Sequence, residues 1–483
     1  MESLKEKTAK GLFYGGLSVG FQQLVGLVMG IVLGNLLSPD EYGMIAMITV
    51  FSLIANELQS SGFKIALTNL SEPEHRDYNA VFWFNILMGG FIYIVLFFCA
   101  PFIADYYHRQ ELIPLCRYAF LGFVFASFGL VQSAYLFKKL QARQQAQAAS
   151  IAVIVSSIVA VTMAALGCSY WSLATQTNLY IAINTSLLWY YSPWRPSFDI
   201  DFRPIRGMFR FSYKLLLSSI INDINNSMLN ILLGRYFSAR AAGLFNQASQ
   251  WNYKCIYLLQ GMLAQVSQPV MVMARESKER QLHIIRKLIR FTAFLSFPLL
   301  FGFALVAVEF ITYALTDKWL QSAHFIQILS ISGAFMPLVT VFQNAILSHG
   351  KSAVYMVCTI TLSCCLIGMV LAFSDYGVRT LVIGFTILQL IWVFVWHFFV
   401  WRITGYTLGM FLWDILPFAV TAASVMLTVH FLTRSIESEP LLLATRVPLA
   451  AILYYLVMKC ARAKVLDECT TFILQRLHKK KKQ

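Results

Sequence analysis

Leu17-Ser18 … Ile31-Val32-Leu33-Gly34-Asn35-Leu36-Leu37-Ser38 … Gly43 returns 200 residues later as Leu217-Ser218 … Ile231-Leu232-Leu233-Gly234-Arg235-Tyr236-Phe237-Ser238 … Gly243. Leu17, Ser18, Ile31, Leu33, Gly34, Ser38 and Gly43 all keep the same offset, and the Gly-x-x-x-Ser-x-x-x-x-Gly exit stands in both copies. Apolar helices can match by accident because their alphabet is small. Glycine and serine punctuation that returns without a gap is a stronger signal. The chain reads as two related halves, a construction common among membrane transporters.

Composition agrees. The 483 residues are 58% hydrophobic and 13% charged, and mean hydropathy is +0.64. A soluble domain carries about 25% charged residues. Apolar runs recur from end to end, so the bilayer is the solvent. The net charge of +15 would suggest nucleic acid in a soluble chain, but here it marks the cytoplasmic side of a membrane protein. The nine cysteines lie mostly inside apolar runs and have no metal-ligand spacing. No disulfide framework, metal or cofactor is therefore expected. The apolar run after basic residues 1–10 is too long for a signal-peptide core, so it reads as a first membrane helix.

A helix needs about 20 apolar residues to cross the hydrocarbon core. That ruler gives fourteen spans, over 12–37, 44–67, 80–103, 112–136, 146–166, 170–191, 213–237, 244–272, 291–315, 325–348, 353–373, 380–401, 411–432 and 441–460. With the N-terminus inside, 29 of the 38 Lys and Arg are assigned to the cytoplasmic side and eight, Arg446 among them, to the outer side, which leaves Lys254 alone deep inside a span. The bias predicts cytoplasmic N and C termini. The expected fold is an all-α integral membrane protein. It has an N-lobe of six helices (1–191), a cytoplasmic linker (192–212), a C-lobe of six helices (213–401), two extra helices (402–460) and a basic cytoplasmic tail (461–483). Six crossings return the chain to its starting side, so the lobes would be a parallel repeat about an axis along the membrane normal.

A charge at mid-bilayer costs about 2.5–3.5 kcal/mol on insertion scales, so it needs a partner or water. Glu57, Asp223 and Lys254 fall at similar mid-depth in spans 2, 7 and 8. One reading is a hydrated cavity in which Lys254 faces an anionic substrate. The other is an Asp223–Lys254 ion pair that staples two helices. Glu57 suits either a counter-ion to Lys254 or a proton-coupling acid. Asn222, Asn226 and Asn230 recur at i, i+4, i+8 and share a helix face. They line the cavity or bond between helices at about 0.6 kcal/mol each. The matching face of span 1 carries Gln22 and Gln23, then Gly26, Gly30 and Gly34, a small-residue ridge suited to close packing. Lys64 and Arg76 lie near the inner mouth, where they contact a diphosphate or snorkel to headgroups. Pro269, Pro298, Pro337, Pro417 and Pro448 lie in or near spans and can bend them. Glu309 lies toward the outer end of span 9, and Lys479–Lys482 read as an inner-leaflet anchor. There is no phosphate-binding loop, zinc-protease motif, nucleophile elbow or dinucleotide fingerprint. No outer connection is long enough to build an enzyme site.

Ser38-Pro39-Asp40-Glu41-Tyr42-Gly43, Gly62-Phe63 with Ala66-Leu67, and Val81-Phe82-Trp83-Phe84-Asn85 follow in order. Gly243-Leu244-Phe245-Asn246-Gln247-Ala248, Pro269, Phe297-Pro298-Leu299 and Lys318-Trp319 come after them. In these motifs, over about residues 1–400, the chain resembles the polysaccharide-transporter family of the multidrug/oligosaccharidyl-lipid/polysaccharide exporter superfamily, closest to O-antigen and colanic-acid (Wzx-like) flippases. It departs at Gln247, where the family often has Arg, and at Thr68-Asn69, where a Gln and a base are frequent. The resemblance implies a non-enzymatic flippase of the bacterial inner membrane. Its substrate would be an undecaprenyl-diphosphate-linked oligosaccharide, moved outward by alternating access for lipopolysaccharide, capsule or exopolysaccharide synthesis, with H+ or Na+ as a possible coupling ion. A drug antiporter of the same superfamily, a lipid II flippase, and a membrane glycosyltransferase or polymerase are the competing readings.

Overall fold

The computed structural model describes residues 4–60, 67, 70, 73–139, 141–273, 277–461, 463, 465 and 466. Its helices begin where the repeat places them. Ser38 and Ser238 are both N-caps: the Ser38 hydroxyl accepts from the Glu41 N–H (3.4 Å) and the Ser238 hydroxyl from the Ala241 N–H (3.1 Å). Each also closes the first backbone turn, Tyr42 N–H to Ser38 O and Ala242 N–H to Ser238 O. A serine oxygen satisfies donors that a helix start leaves unpaired. The first copy adds the Glu41 carboxylate accepting from the Ser38 N–H, which completes a capping box. Position 241 is alanine and cannot. Helices α1 (Leu4–Leu36) and α2 (Pro39–Ser60) thus have counterparts in α9 (Arg203–Tyr236) and α10 (Ala239–Met273).

The chain divides into two compact units, Met1–Gly243 and Leu244–Gln483. In the first, α3 (His75–Tyr107) and α2 pack against α9, while α7 (Ala142–Ala165) lies between α1 and α8 (Trp171–Tyr191). Span 4 is not one helix. It is divided into α4 (Leu112–Ala119), α5 (Leu121–Ser127) and α6 (Leu130–Lys138), with a 41° bend before the last. Breaks free carbonyls that hydrocarbon cannot satisfy. Buried amides from three neighbours take them: Asn178 donates to Tyr118 O (2.7 Å), Gln59 to Phe123 O (2.6 Å) and Asn85 to Ser127 O (3.2 Å).

Gly43 and Gly243 approach each other reciprocally. A Cβ on Gly43 would fall on the Ala239 carbonyl, and a Cβ on Gly243 on the Pro39 carbonyl. Positions 39 and 239 are themselves counterparts, so the two corners meet about a local two-fold. Asp40 and Arg240, also counterparts, face each other at 3.8 Å, both half exposed. At Gly26, by contrast, an added Cβ would meet nothing within 4 Å. Of the ridge expected along α1, Gly26 is therefore open, whereas Gly34 is buried.

In the second unit, α11 (Lys278–Leu315) is the spine, about 57 Å long at 1.5 Å per residue. With it stand α12 (Leu320–Gly333), which packs on the spine, and α13 (Met336–Ser348), α14 (Ser352–Phe373), α15 (Val378–Thr404), α16 (Leu408–Leu432) and α17 (Glu439–Cys460), which share one continuous core with it. Pro298, Pro417 and Pro448 lie inside α11, α16 and α17, whereas Pro337 opens α13 and divides span 10.

Two ionic clusters join the spine to its neighbours, 19 residues or about 28 Å apart along α11. That is about the thickness of a hydrocarbon core. Near one end Glu309 pairs with Arg446 of α17. Arg446 also donates to the Thr433 hydroxyl (3.0 Å) and Leu305 O (3.3 Å). Near the other, Asp414 of α16 accepts from Arg286 and Arg290.

Among the described residues, ten stretches are long and apolar enough to cross a membrane, or eleven if the bent α4–α6 group is taken as one span. No strand occurs among the described residues.

Candidate functional site

The polar residues expected at mid-depth arise on α2, α9 and α10, the elements built by the repeat. In the first unit α2 and α9 pack together, and the Glu57 carboxylate lies close enough to act on the charge of Asp223. The asparagine stripe of α9 changes character along its length. Asn226 is exposed, while Asn230 is half buried with its Oδ1 unpartnered among the described residues. Asn222 has a partner. On α1, Gln22 donates to the Ser18 hydroxyl (3.0 Å), whose oxygen donates to Ala146 O of α7 (3.4 Å). Gln22 therefore joins the α1–α7 contact, and Gln23 is exposed.

In the second unit α10 presents two faces. Asn252 and Gln260 turn inward and donate to the hydroxyls of Ser330 and Thr340, each at 3.0 Å. Gln250, Tyr257, Leu258 and Gly261 form an exposed stripe, and half-buried Lys254 belongs to it. The Lys254 ammonium lies 3.8 Å from the Trp251 ring centroid, a cation–π contact that offsets part of its desolvation. The next residue, Cys255, lines an apolar cavity of about 460 Å³ with Phe294, Pro298, Gly302, Ala450 and Tyr454. One helix thus offers a cation on one side and an apolar slot on the other. An amphiphile with an anionic head needs both.

Arg76 has a partner within the chain: it pairs with Asp201 of the linker. Asn79, one turn on, clamps the same segment by donating to Asp199 O (2.6 Å) and accepting from the Ser197 N–H (2.9 Å). The Trp83 indole donates to Ser197 O (2.7 Å), and Trp194 is buried among Tyr78, Phe82 and the base of α3. The Arg203 backbone N–H, and then Arg76, hold the Asp201 carboxyl below its usual range. Lys64, Thr68, Asn69 and Lys479–Lys482 lie outside the described residues.

Sequence reading missed the Asp414 cluster, the partner of Glu309 and the linker clamp. Asp414 had a signal: it is the sole acid in the run 408–432. Arg446 had one too, as a base within an apolar helix, though it was counted as an outer-side charge.

A family model described as polysaccharide biosynthesis protein matches residues 32–324. The teichuronic acid biosynthesis protein TuaB of Bacillus subtilis is 24% identical over 73% of both chains. The lipopolysaccharide biosynthesis protein WzxC of Escherichia coli is 24% identical over 68% of both. Among solved structures, the lipid II flippase MurJ in an inward closed conformation superposes with a TM-score of 0.74 at 13% identity, over 94% of this chain and 99% of that one. An inward-facing multidrug MATE transporter of the MOP superfamily gives 0.65 at 15% identity, over 80% and 95%. With its long apolar helices and these relatives, this is a multi-pass protein of the bacterial inner membrane. It belongs to the polysaccharide biosynthesis protein family.

Proposed function

We propose that the chain is a flippase for an undecaprenyl-diphosphate-linked oligosaccharide, carrying it from the inner to the outer leaflet by alternating access without covalent chemistry. The observation that carries this reading is the pairing on α10 of Lys254 with the apolar cavity lined by Cys255. The lipid tail would stay in an apolar slot while the diphosphate passes Lys254. The polar stripes of α9 and α10, with Gln23 of α1, would hydrate the sugar. In this reading α8, α9 and α10 complete a set of fourteen spans with both termini in the cytoplasm. The lobes are 1–191 and 213–401, with 402–460 as an added helix pair.

The Glu57–Asp223 acid pair would bind a coupling cation, H+ or Na+. Lys64 and Arg76 would meet the diphosphate at the inner mouth, Arg76 only after leaving Asp201.

The test is a deletion strain in which lipid-linked oligosaccharides are located by leaflet with a membrane-impermeant glycan probe. Accumulation at the inner face, reversed by re-expression, is the expected result. Normal outward display with altered chain length would point to a polymerase instead, and normal glycans with drug sensitivity to an antiporter. Within this reading, Lys254→Ala should lower surface polysaccharide at unchanged protein level. A fall in abundance that Asp223→Ala restores would make Lys254 a structural staple.

A further inference from the structure

From the Asp414 cluster we infer a binding site for an anionic phospholipid headgroup at the end of the second unit where α11 begins. Asp414 is 1% exposed. Its Oδ2 accepts from Arg286 Nε (2.9 Å) and from the Tyr406 hydroxyl (3.1 Å), and its Oδ1 from Arg286 Nη2 (3.0 Å) and Arg290 Nε (2.6 Å). The Arg286 fork alone satisfies and neutralises this carboxylate. Arg290 is then a surplus charge, and the cluster carries a net +1.

Neither Arg290 Nη1 and Nη2 nor Arg286 Nη1 makes a further hydrogen bond among the described residues, and the two side chains are 36% and 32% exposed. The carboxylate fixes both guanidiniums and leaves their outer N–H groups turned away from it. A pair of oriented, partly desolvated guanidiniums suits a phosphate, which takes two or more charge-assisted bonds from such forks.

Depth selects the source of that phosphate. Arg290 is 25 residues, about 37 Å, from the far end of α11 at Leu315. The hydrocarbon core is about 30 Å thick, and about 40–45 Å with headgroups. If Leu315 lies at one boundary, Arg290 reaches the headgroup layer of the other leaflet. Trp413 and Phe291, beside Asp414 and Arg290, are exposed, and aromatic residues mark the interface. The segment 278–290 holds Lys278, Arg280, His283, Arg286, Lys287 and Arg290 against one acid, Glu279, so by the charge bias this end is cytoplasmic. The site therefore takes the phosphodiester of an inner-leaflet anionic phospholipid, which would hold the α11–α16 pair at a fixed height in the membrane. It stands apart from the transport reading, and its failure would leave that reading untouched.

Native mass spectrometry of the full chain in detergent tests it, with phosphatidylglycerol or phosphatidylcholine added. The intact chain is expected to retain one phosphatidylglycerol in preference to phosphatidylcholine. Arg290→Gln, which leaves Asp414 its Arg286 and Tyr406 bonds, should weaken retention about tenfold, the loss expected for one charge-assisted contact. Arg379→Gln on the opposite face should change nothing. If Arg290→Gln fails to accumulate, Arg290→Lys decides: it keeps the charge, loses the fork and should still weaken retention about threefold. Equal binding of the two lipids, or phosphatidylglycerol retention unchanged in the Arg290 variants, overturns the proposal. So does displacement of phosphatidylglycerol by undecaprenyl diphosphate, which would make the fork part of the substrate path.

Discussion

Gly43 and Gly243 show what one missing methyl group allows. Each corner backbone occupies the volume that a Cβ on the other would need, and the obstacle is a carbonyl, not a side chain that can move aside. Gly43→Ala should therefore destabilise the corner by about 1–3 kcal/mol, the usual range for overpacking. Thermal unfolding in detergent and the level of membrane-inserted protein would measure it. The Asp40–Arg240 pair beside it is half exposed, and such pairs contribute about 0–1 kcal/mol. Asp40→Asn should leave the melting temperature within a degree or two. A larger loss from Asp40→Asn than from Gly43→Ala would show that charge holds the corner.

Glu309 and Arg446 follow another rule because Arg446 is buried and the Glu309 side chain is only 14% exposed. Removing one partner strands a charge and costs about 3–5 kcal/mol, whereas replacing both with apolar groups is often neutral. Arg446→Leu should cut abundance sharply, and Glu309→Leu with Arg446→Leu should restore most of it. Counting charges by connection placed Arg446 outside and left Glu309 at the interface. The packing of α11 on α17 that joins them spans 137 residues of sequence and leaves no local pattern.

At the scale of elements, the linker shows a motif acquiring a physical reason. Val81-Phe82-Trp83-Phe84-Asn85 stood out in the sequence without one. In the structure Phe82 packs against Trp194 and Trp189, Trp83 bonds the Ser197 carbonyl, and Asn85 takes a carbonyl released by broken span 4. Asn79, one turn earlier, binds the linker through both amide atoms. The proline-bearing segment is thus fastened to α3 rather than free between lobes. Asn79→Ala should expose residues 195–202 to an added protease several-fold faster.

The pH dependence of the clamp follows from Asp201. Its carboxyl is held below the ordinary value by the Arg203 N–H and Arg76. A depressed folded value stabilises above the unfolded value and is lost as pH falls through the folded one. Protection of the linker should hold from pH 8 to pH 5 and weaken only below about pH 4. Loss between pH 7 and 6 would show that a group other than Asp201 governs the clamp. The division of span 4 was hidden because apolar residues flank each break on both sides. The three amides that accommodate it are contributed by α2, α3 and α8.

At the scale of the whole molecule, fourteen apolar runs could be read from composition because crossing hydrocarbon imposes a length on every span. The stretches that pass on length and hydropathy omit α8, α9 and α10. These carry Thr175, Gln176 and Asn178, then Asn222, Asp223 and Asn226, then Gln250, Asn252 and Lys254. The polar residues of these helices were conspicuous in the sequence because they interrupt apolar runs. Which of them stay open was not, because that depends on which face each neighbour covers: Asn252 is buried and Asn226 exposed. If the open stripes are hydrated, thiols placed on them should ionise and react with a water-soluble maleimide, whereas thiols facing lipid should remain protonated and inert. In a background lacking the nine native cysteines, Asn226→Cys and Tyr257→Cys should label at least about tenfold faster than Leu427→Cys and Ile452→Cys, a difference of about 1.4 kcal/mol in access. All four positions are exposed in the fold, so exposure alone predicts equal rates. Equal rates would mean that lipid fills the stripes, and a hydrophilic sugar could not then pass along them.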